Sequence, residues 1–297
     1  MTDRCREIIR RQSRPLAPLP AGQSPALRKL DPLEAVLFDV YGTLLVSASG
    51  DVGVGDPADR GVALAAALAA VGVSLWGPQD AALNVFLAAI ERHHQTARQA
   101  GVDFPEVDIV AVWGDTWADL AARGWVTGAE GVDLPALAVE FEVRANPVWP
   151  MPGLLPTLAG LRRAGKRLGV ISNAQFFTPE AFPALLGKTL AELGFQRDLQ
   201  FYSFQHGRAK PSRELYQLAA AALQGCGIAT ERALVVGNDM RNDVGPAARL
   251  GFRTALFAGD ARSFRPRAGD PSCAGIVPDV VVTELTDLLH CIGAANL

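Results

Sequence analysis

The chain has 297 residues, 49% of them hydrophobic and 20% charged, with a formal net charge of −3. It is longer than a typical single domain and apolar enough for a packed interior, so a core domain plus a second unit is expected. Acids and bases are mixed, with no basic stripe, which excludes a dedicated nucleic-acid binder, and no apolar run reaches transmembrane length.

The four cysteines (Cys5, Cys226, Cys273, Cys291) are scattered, with no CxxC pair and no histidine at ligand spacing. This is no disulfide framework, and it fits a reducing compartment. The opening MTDRCREIIRRQSR is basic but is followed by no apolar signal core, so the expected location is the cytoplasm. Residues 1–33 read as an N-terminal arm. A short basic segment able to form a helix leads into PLAPLPAGQSP, which holds neither a helix nor a central strand. The arm is either loose or packed on a neighbour.

The first clear strand is EAVLFD (34–39), an apolar run that ends in an aspartate and is followed by the turn-prone VYGT. Similar runs are RLGVIS (167–172), ALVVGND (233–239), RTALFA (253–258) and DVVVTE (279–284). Each is continuously apolar instead of alternating, as strands covered on both faces of a parallel sheet are. The helical patterns GLLPTLAGLRRAG (153–165), PSRELYQLAAAALQGCG (211–227) and NDVGPAARLG (242–251) lie between them. Abundant alanine and leucine favour those helices. The alternation predicts an α/β fold with a doubly wound parallel sheet.

One interval breaks the rhythm. Residues 49–149 hold four helical patterns, GVALAAALAAVG, AALNVFLAAIERHHQTARQAG, DIVAVWGDTWADLAARG and LPALAVEFEVRAN. A crossover in such a sheet needs only about ten to fifteen residues. The expectation is an all-helical cap domain at 49–149, over the carboxyl end of the first strand, on a core formed by 34–48 and 150–297. His93 and His94 point about 100° apart on a helix, so they do not share a metal and read as surface or packing residues. Trp113 and Trp117 share a helix face and read as packing residues. The alternative turns the Asp, Glu and Trp residues of VDFPEVDI (102–109) and VWGDTW toward the cleft.

Four clusters carry chemistry. Asp39, after the first strand, is a carboxylate beside turn amides, suited to nucleophilic attack and a covalent intermediate. Ser172 and Asn173 offer a hydroxyl and an amide to an anionic oxygen. Lys210, in GRAKPS, can neutralise both the nucleophile and a bound anion. The loop Gly237-Asn238-Asp239-Met240-Arg241-Asn242-Asp243 supplies hard oxygen ligands for Mg²⁺. Taken singly, each has an ordinary reading as a cap, a turn or a solvated lysine. Their order along one sheet edge points to an enzyme.

FDVYGTL, VISN, the AKPS lysine and VGNDMRNDVGPAARLGF resemble the four motifs of the haloacid dehalogenase-like superfamily, over roughly 34–48 and 150–290. The resemblance implies a Rossmann-like core, a mobile helical cap inserted after the first motif, and catalysis through an aspartyl intermediate. Asp39 is then the nucleophile, Ser172 with Asn173 binds the transferring group, and Lys210 stabilises charge and contacts substrate. Thr43 joins the substrate-binding residues. Asn238, Asp239 and Asp243 fill the metal-binding motif, with Asp39 and the backbone carbonyl of Tyr41 as further Mg²⁺ ligands.

Two positions depart from that pattern. Phosphatases of the superfamily carry a second aspartate, two residues after the nucleophile, that protonates the leaving group and then activates water. Here that catalytic position is Tyr41, and a phenol with a pKa near 10 replaces a carboxyl poorly. Tyrosine there resembles the 2-haloacid dehalogenases, whose halide departs unprotonated. Asn238 stands where an acid is usual, with Asp239 restoring the charge by a one-residue shift. Two carboxylates in that loop favour Mg²⁺. The leading expectation is a Mg²⁺-dependent phosphatase of a small phosphorylated metabolite. The second is a 2-haloacid dehalogenase, with Arg60 or Arg92 for the substrate carboxylate, and the third a catalytically weak binding or regulatory protein. The expected partner is a small-molecule substrate, with no nucleic acid and no membrane, as a monomer or a homodimer.

Overall fold

The computed structural model describes residues 2–30, 32–50, 57–128 and 131–293. Of the expected insert at 49–149, residues 51–56 and 129–130 lie outside the described residues. The chain opens with α1 (Thr2–Gln12), β1 (Ala35–Phe38) and β2 (Leu45–Ser47). The insert follows: α2 (Pro57–Ala70), β3 (Val73–Leu75), α3 (Gln79–Gln99), α4 (Ile109–Ala122), β4 (Val126–Gly128) and α5 (Leu134–Ala145). Next come β5 (Val148–Pro150), α6 (Leu154–Arg163), β6 (Arg167–Ser172), α7 (Ala181–Leu186) and β7 (Phe195–Tyr202). The remainder is α8 (Ser203–His206), α9 (Glu214–Gly225), β8 (Ala233–Gly237), α10 (Gly245–Arg249), β9 (Arg253–Phe257), β10 (Val280–Val282) and α11 (Asp287–Cys291).

Six strands form one parallel sheet in the order β10-β9-β8-β1-β6-β7. The fold is the expected doubly wound, Rossmann-like α/β sheet. β1 sits between β8 and β6, and all four of its residues are fully buried, which is why AVLF reads as one apolar run. One buried cluster lies on one face of the sheet, around Phe38, Val170 and Val236. A second lies on the other, around Leu37, Ile171, Leu215 and Val235. Strand β7 is absent from the sequence reading. Only one neighbour pairs with it, its middle residues Arg197 and Asp198 are exposed, and charge interrupts the apolar run.

The insert packs around a cluster it shares with α1 and with Phe177 and Ala184, in which Trp113 stacks on Phe86 at 4.4 Å between ring centroids and Phe141 is edge-on to both. Its helices start where the sequence caps them. The Asp108 carboxylate accepts from the amides of Val110 and Ala111 at the start of α4, and that of Asp133 accepts from Ala136 in α5. Among its described residues the insert is helical apart from one antiparallel ribbon, β3 with β4, a difference from the all-helical expectation. Valine and threonine in VSL and VTG suit that pleated pair. A second ribbon, β2 with β5, joins the insert to the sheet.

The N-terminal arm packs on its own chain. Cys5, Ile8 and Ile9 of α1 are buried in the insert's core, and Arg4 and Arg6 reach Asp133 and Glu180 at 2.5 and 2.6 Å. Arg11 pairs with Glu140. Beyond the Pro-rich run, Ala26 makes an antiparallel bridge to Val281 on the sheet edge. Ile9 is 2% exposed, so Ile9→Ala should lower unfolding free energy by about 2–5 kcal/mol. Urea unfolding with an unchanged slope checks this; a loss under about 0.5 kcal/mol would mean the arm is loose in solution.

Candidate active site

The site lies at the carboxyl end of the central strands. The ladder runs one residue past β1, where the Asp39 amide donates to Val236 O at 2.9 Å, and this fixes the carboxylate at the sheet rim. Asp39 is nearly buried, at 7% exposure. The chain then turns through Gly42 at φ +79, a conformation suited to glycine. A Cβ there would stand 2.4 Å from that of Ser263, so glycine also permits the close approach of the two loops. The turn brings Thr43 back over the strand, where its hydroxyl reaches Asp39 Oδ2 at 3.4 Å and Asn238 Oδ1 at 3.1 Å.

Lys210 is the centre of the constellation. Its ammonium donates to Asp39 Oδ1 at 2.7 Å, to Asp243 Oδ1 at 2.6 Å and to the Ile171 carbonyl at 3.3 Å. Burial works to lower its pKa, but the carboxylates of Asp243 and Asp39 outweigh burial and hold it well above its ordinary value. The lysine therefore stays charged. Ser172 donates to the same Asp39 oxygen at 3.1 Å. Asn173, expected to offer its amide to a bound anion, lines both cavities and also clamps the lysine's backbone. Its Oδ1 accepts from Lys210 N at 2.6 Å and its Nδ2 donates to Lys210 O at 3.2 Å. The insert grips the same segment from the other side, with Ala209 N donating to Phe104 O and Glu106 N to Gly207 O.

The acid loop leaves β8 at Gly237, where a Cβ would lie 2.3 Å from the Asp243 carboxyl carbon. One π-helical turn, Met240–Val244, carries Asp243 back over the strand end. Asp239 accepts from the amides of Arg241 and Asn242, as a cap does, and the guanidinium of Arg267 holds both its oxygens at 3.1 and 2.6 Å. Asp243 Oδ2 accepts from Asp239 N at 3.0 Å. Asn238 donates to the Ser263 carbonyl at 2.6 Å. Burial raises the Asp243 carboxyl to about 7, with Lys210 opposing.

Among the described residues, no three His, Cys, Asp or Glu side chains are arranged to hold a metal ion. The donor chemistry nevertheless suits Mg²⁺. A chamber of about 30 Å³ is walled by the hard-oxygen donors Asp39, Tyr41, Asn173, Asn238, Asp239, Asn242 and Asp243, together with the cations Lys210 and Arg265. Against the ion stand those two cations and Arg267, already paired with Asp239.

Tyr41 separates this chamber from a larger one. Its phenol pairs with the Thr178 hydroxyl at 2.9 Å, and burial, then the nearby Glu142 charge, push it well above its ordinary pKa. Beyond it lies a cavity of about 420 Å³ between insert and sheet, which shares Tyr41, Asn173 and Asn242 with the small chamber. Its walls include Phe86, Leu87, Ile90 and Phe141, with Arg60, His94, Glu106 and Glu142 as the ionisable groups. Arg60 therefore reaches the cavity, whereas Arg92 pairs with Asp119 at the surface. His94 lines it while His93 turns to Asp115, so the two do not converge. Glu106 of the flagged VDFPEVDI also faces it, but Trp113 is core.

Glu142, Arg267 and Arg265, the last a wall of the small chamber, are absent from the sequence reading. A signal for Glu142 was present: in the apolar helix LPALAVEFEVRAN, Glu140 and Glu142 stand two apart and face different ways. Glu140 pairs with Arg11 and Arg144, and Glu142 looks into the cavity.

The model of the haloacid dehalogenase-like hydrolases matches residues 33–251. The chain belongs to that family. As a haloacid dehalogenase-like hydrolase it shares its fold with solved structures of both chemistries. A 2-haloacid dehalogenase from Pseudomonas syringae pv. Tomato DC3000 is 20% identical, with a TM-score of 0.56 over 88% of this chain and 98% of that one. A HAD phosphatase from Thermococcus onnurineus is 19% identical, with a TM-score of 0.51 over 89% of this chain and 100% of that one. At such identities the likeness is one of fold. No curated protein matches the chain by sequence. No helix among the described residues is long and apolar enough to cross a membrane.

Burial raises the folded Asp243 carboxyl above its ordinary value of 3.8, to about 7, while its charge remains tied to that of Lys210. Stability should therefore fall as pH rises from about 4 to 7, because the folded form binds more protons there. In EDTA, Asp243→Asn should flatten that fall in thermal melts; an unchanged slope would assign it to other groups.

Proposed function

We propose that this hydrolase is a Mg²⁺-dependent phosphatase of a small phosphorylated metabolite, acting through an aspartyl-phosphate on Asp39. The observation that carries the reading is the Asp39 carboxylate itself. Oδ1 is held by Lys210 and Ser172, and among the described residues Oδ2 has the 3.4 Å contact from Thr43. Such a carboxylate is oriented and charge-compensated, yet keeps one oxygen for attack. The acid loop beside it supports phosphoryl over carbon chemistry, since Asp239 and Asp243 could hold the Mg²⁺ that a phosphoryl transfer uses and a haloacid displacement does not need.

Mg²⁺ would be held by Asp39, the Tyr41 carbonyl and the loop of Asn238, Asp239 and Asp243, and when bound it supplies neutralising charge on phosphoryl oxygens. Lys210 adds the same from the other side, and Ser172 and Thr43 supply hydroxyls next to the transferring group. The helical insert acts as a cap, and a cavity of about 420 Å³ beneath it is of metabolite size. Arg267 must leave Asp239 for the metal to enter.

A second reading has its own observation. Arg60 in a largely apolar cavity, with Asp239 already neutralised by Arg267, would suit a 2-haloacid dehalogenase acting without metal.

Acyl and aryl phosphates should be hydrolysed in a Mg²⁺-dependent manner, with Asp39→Asn at background. Rates no higher than the variant's at any Mg²⁺ would sink the phosphatase reading, and halide released from 2-chloropropionate in EDTA would establish the second. Arg267→Gln should bind Mg²⁺ about tenfold more tightly by calorimetry, a gain of about 1.4 kcal/mol. Equal affinity in both proteins would mean the arginine does not compete with the ion.

A further inference from the structure

A phosphate ester of an aliphatic alcohol leaves as an alkoxide unless a proton is supplied in the transition state, so the proposed reaction needs a positioned acid. The groups around Asp39 cannot provide it. Lys210 is locked between two carboxylates and Asp243 spends both oxygens on Lys210 and an amide. The Tyr41 phenol, paired with Thr178, is far too weak an acid.

The larger cavity offers three further candidates. Glu106 is committed: Oε1 accepts from Val107 N and Gln175 Nε2, and Oε2 from Ser203 Oγ at 2.6 Å. This carboxylate is a latch between insert and sheet. His94 is held below its ordinary pKa by burial, with Arg98 adding to it, and its nearest acid is Glu91 at 3.9 Å on its own helix. Glu142 differs from both. It accepts a long hydrogen bond, 3.4 Å from Asn146 Nδ2, and the cavity wall it shares with Tyr41 continues into the Asp39 chamber.

We propose that Glu142, carried into the cavity by α5 of the insert, is the proton donor to the leaving-group oxygen and afterwards the base that activates water. The inference rests on the phosphatase reading. Asn146 and Arg60 act on Glu142, and Tyr41, His94 and Glu106 line the same cavity. Burial raises the carboxyl above its ordinary value, with Asn146 and Arg60 opposing, the direction a proton donor needs.

The balance closes on this chain's own groups. An Asp39 oxygen bonds to phosphorus as the ester P–O bond breaks; the leaving oxygen keeps the electron pair and takes the Glu142 proton. The Glu142 carboxylate then takes a proton from water as the water oxygen bonds to phosphorus. The bond from phosphorus to Asp39 breaks, which restores a free Asp39 and a protonated Glu142. Because Glu142 rides on the insert, acid catalysis exists only when insert and sheet are together.

The test compares Glu142→Gln with wild type on an alkyl phosphate and on 4-nitrophenyl phosphate, whose leaving group needs little protonation. The variant should lose about 100-fold or more on the alkyl ester. With the aryl ester it should keep a first-turnover burst of nitrophenol, followed by slowed release of phosphate. Glu142→Ala should regain turnover of the alkyl ester when formate is added, which separates lost chemistry from lost structure. An unchanged ratio of alkyl to aryl rates in Glu142→Gln, without rescue by formate in the alanine variant, would overturn the role of Glu142 alone. A wild type inert toward both esters would overturn the phosphatase reading and Glu142 with it.

Discussion

The ammonium of Lys210, buried between the carboxylates of Asp39 and Asp243, ties together the parts of this molecule that carry chemistry. Asp39 ends β1 and Asp243 belongs to the turn after β8, while Lys210 comes from the segment between β7 and α9. Three separate stretches thus meet at one charge. Burying such ions costs several kcal/mol each, and removing one partner of a buried pair typically costs about 3–5 kcal/mol. The cluster is stable only as a set, and so the sheet edge must close around all three at once. Asn173 takes the task of placing the lysine by bonding both its backbone amide and its carbonyl.

The same charge economy shapes the surroundings. Asp239 does not face the small chamber as a bare anion, because the Arg267 guanidinium covers it. The polar chamber is small and the cavity under the insert is large and mostly apolar, with Tyr41 as the wall between them. On the proposed function, chemistry and recognition are divided between these two adjoining spaces. The insert does more than roof the second space. Through Phe104 and Glu106 it bonds to the backbone just before Lys210, so a shift of the insert acts on the lysine directly.

The sheet was legible because its inner strands are buried on both faces and write themselves as apolar runs. β6 is RLGVIS from end to end, and β1, β8, β9 and β10 lie inside the runs read for them. The family was legible because Asp39, Ser172, Lys210 and Asp243 each follow a recognisable local pattern. What stayed hidden depends on pairing across long stretches of chain. Arg267 meets Asp239 from 28 residues away, through a loop that no periodicity describes. Asn173 sits beside Ser172 in sequence, yet its role is set by a backbone 37 residues on. The arm's helix finds its partners in α5 of the insert and α7 of the core, which come together only in the folded chain. Edge strand β7 carries charge where an inner strand would carry valine.

The central claim is that the Asp39 carboxylate is the nucleophile and that phosphorus, not carbon, is attacked. The most direct measurement is a single turnover of an acyl phosphate in heavy-oxygen water with excess enzyme, followed by mass analysis of the peptide carrying Asp39 and of the released phosphate. The account predicts a phosphoryl group on Asp39 in acid-quenched samples, and after turnover heavy oxygen in phosphate and none in the peptide. Heavy oxygen in the Asp39 carboxylate after reaction with a haloacid, with no phosphoryl group trapped from any phosphate, would contradict it.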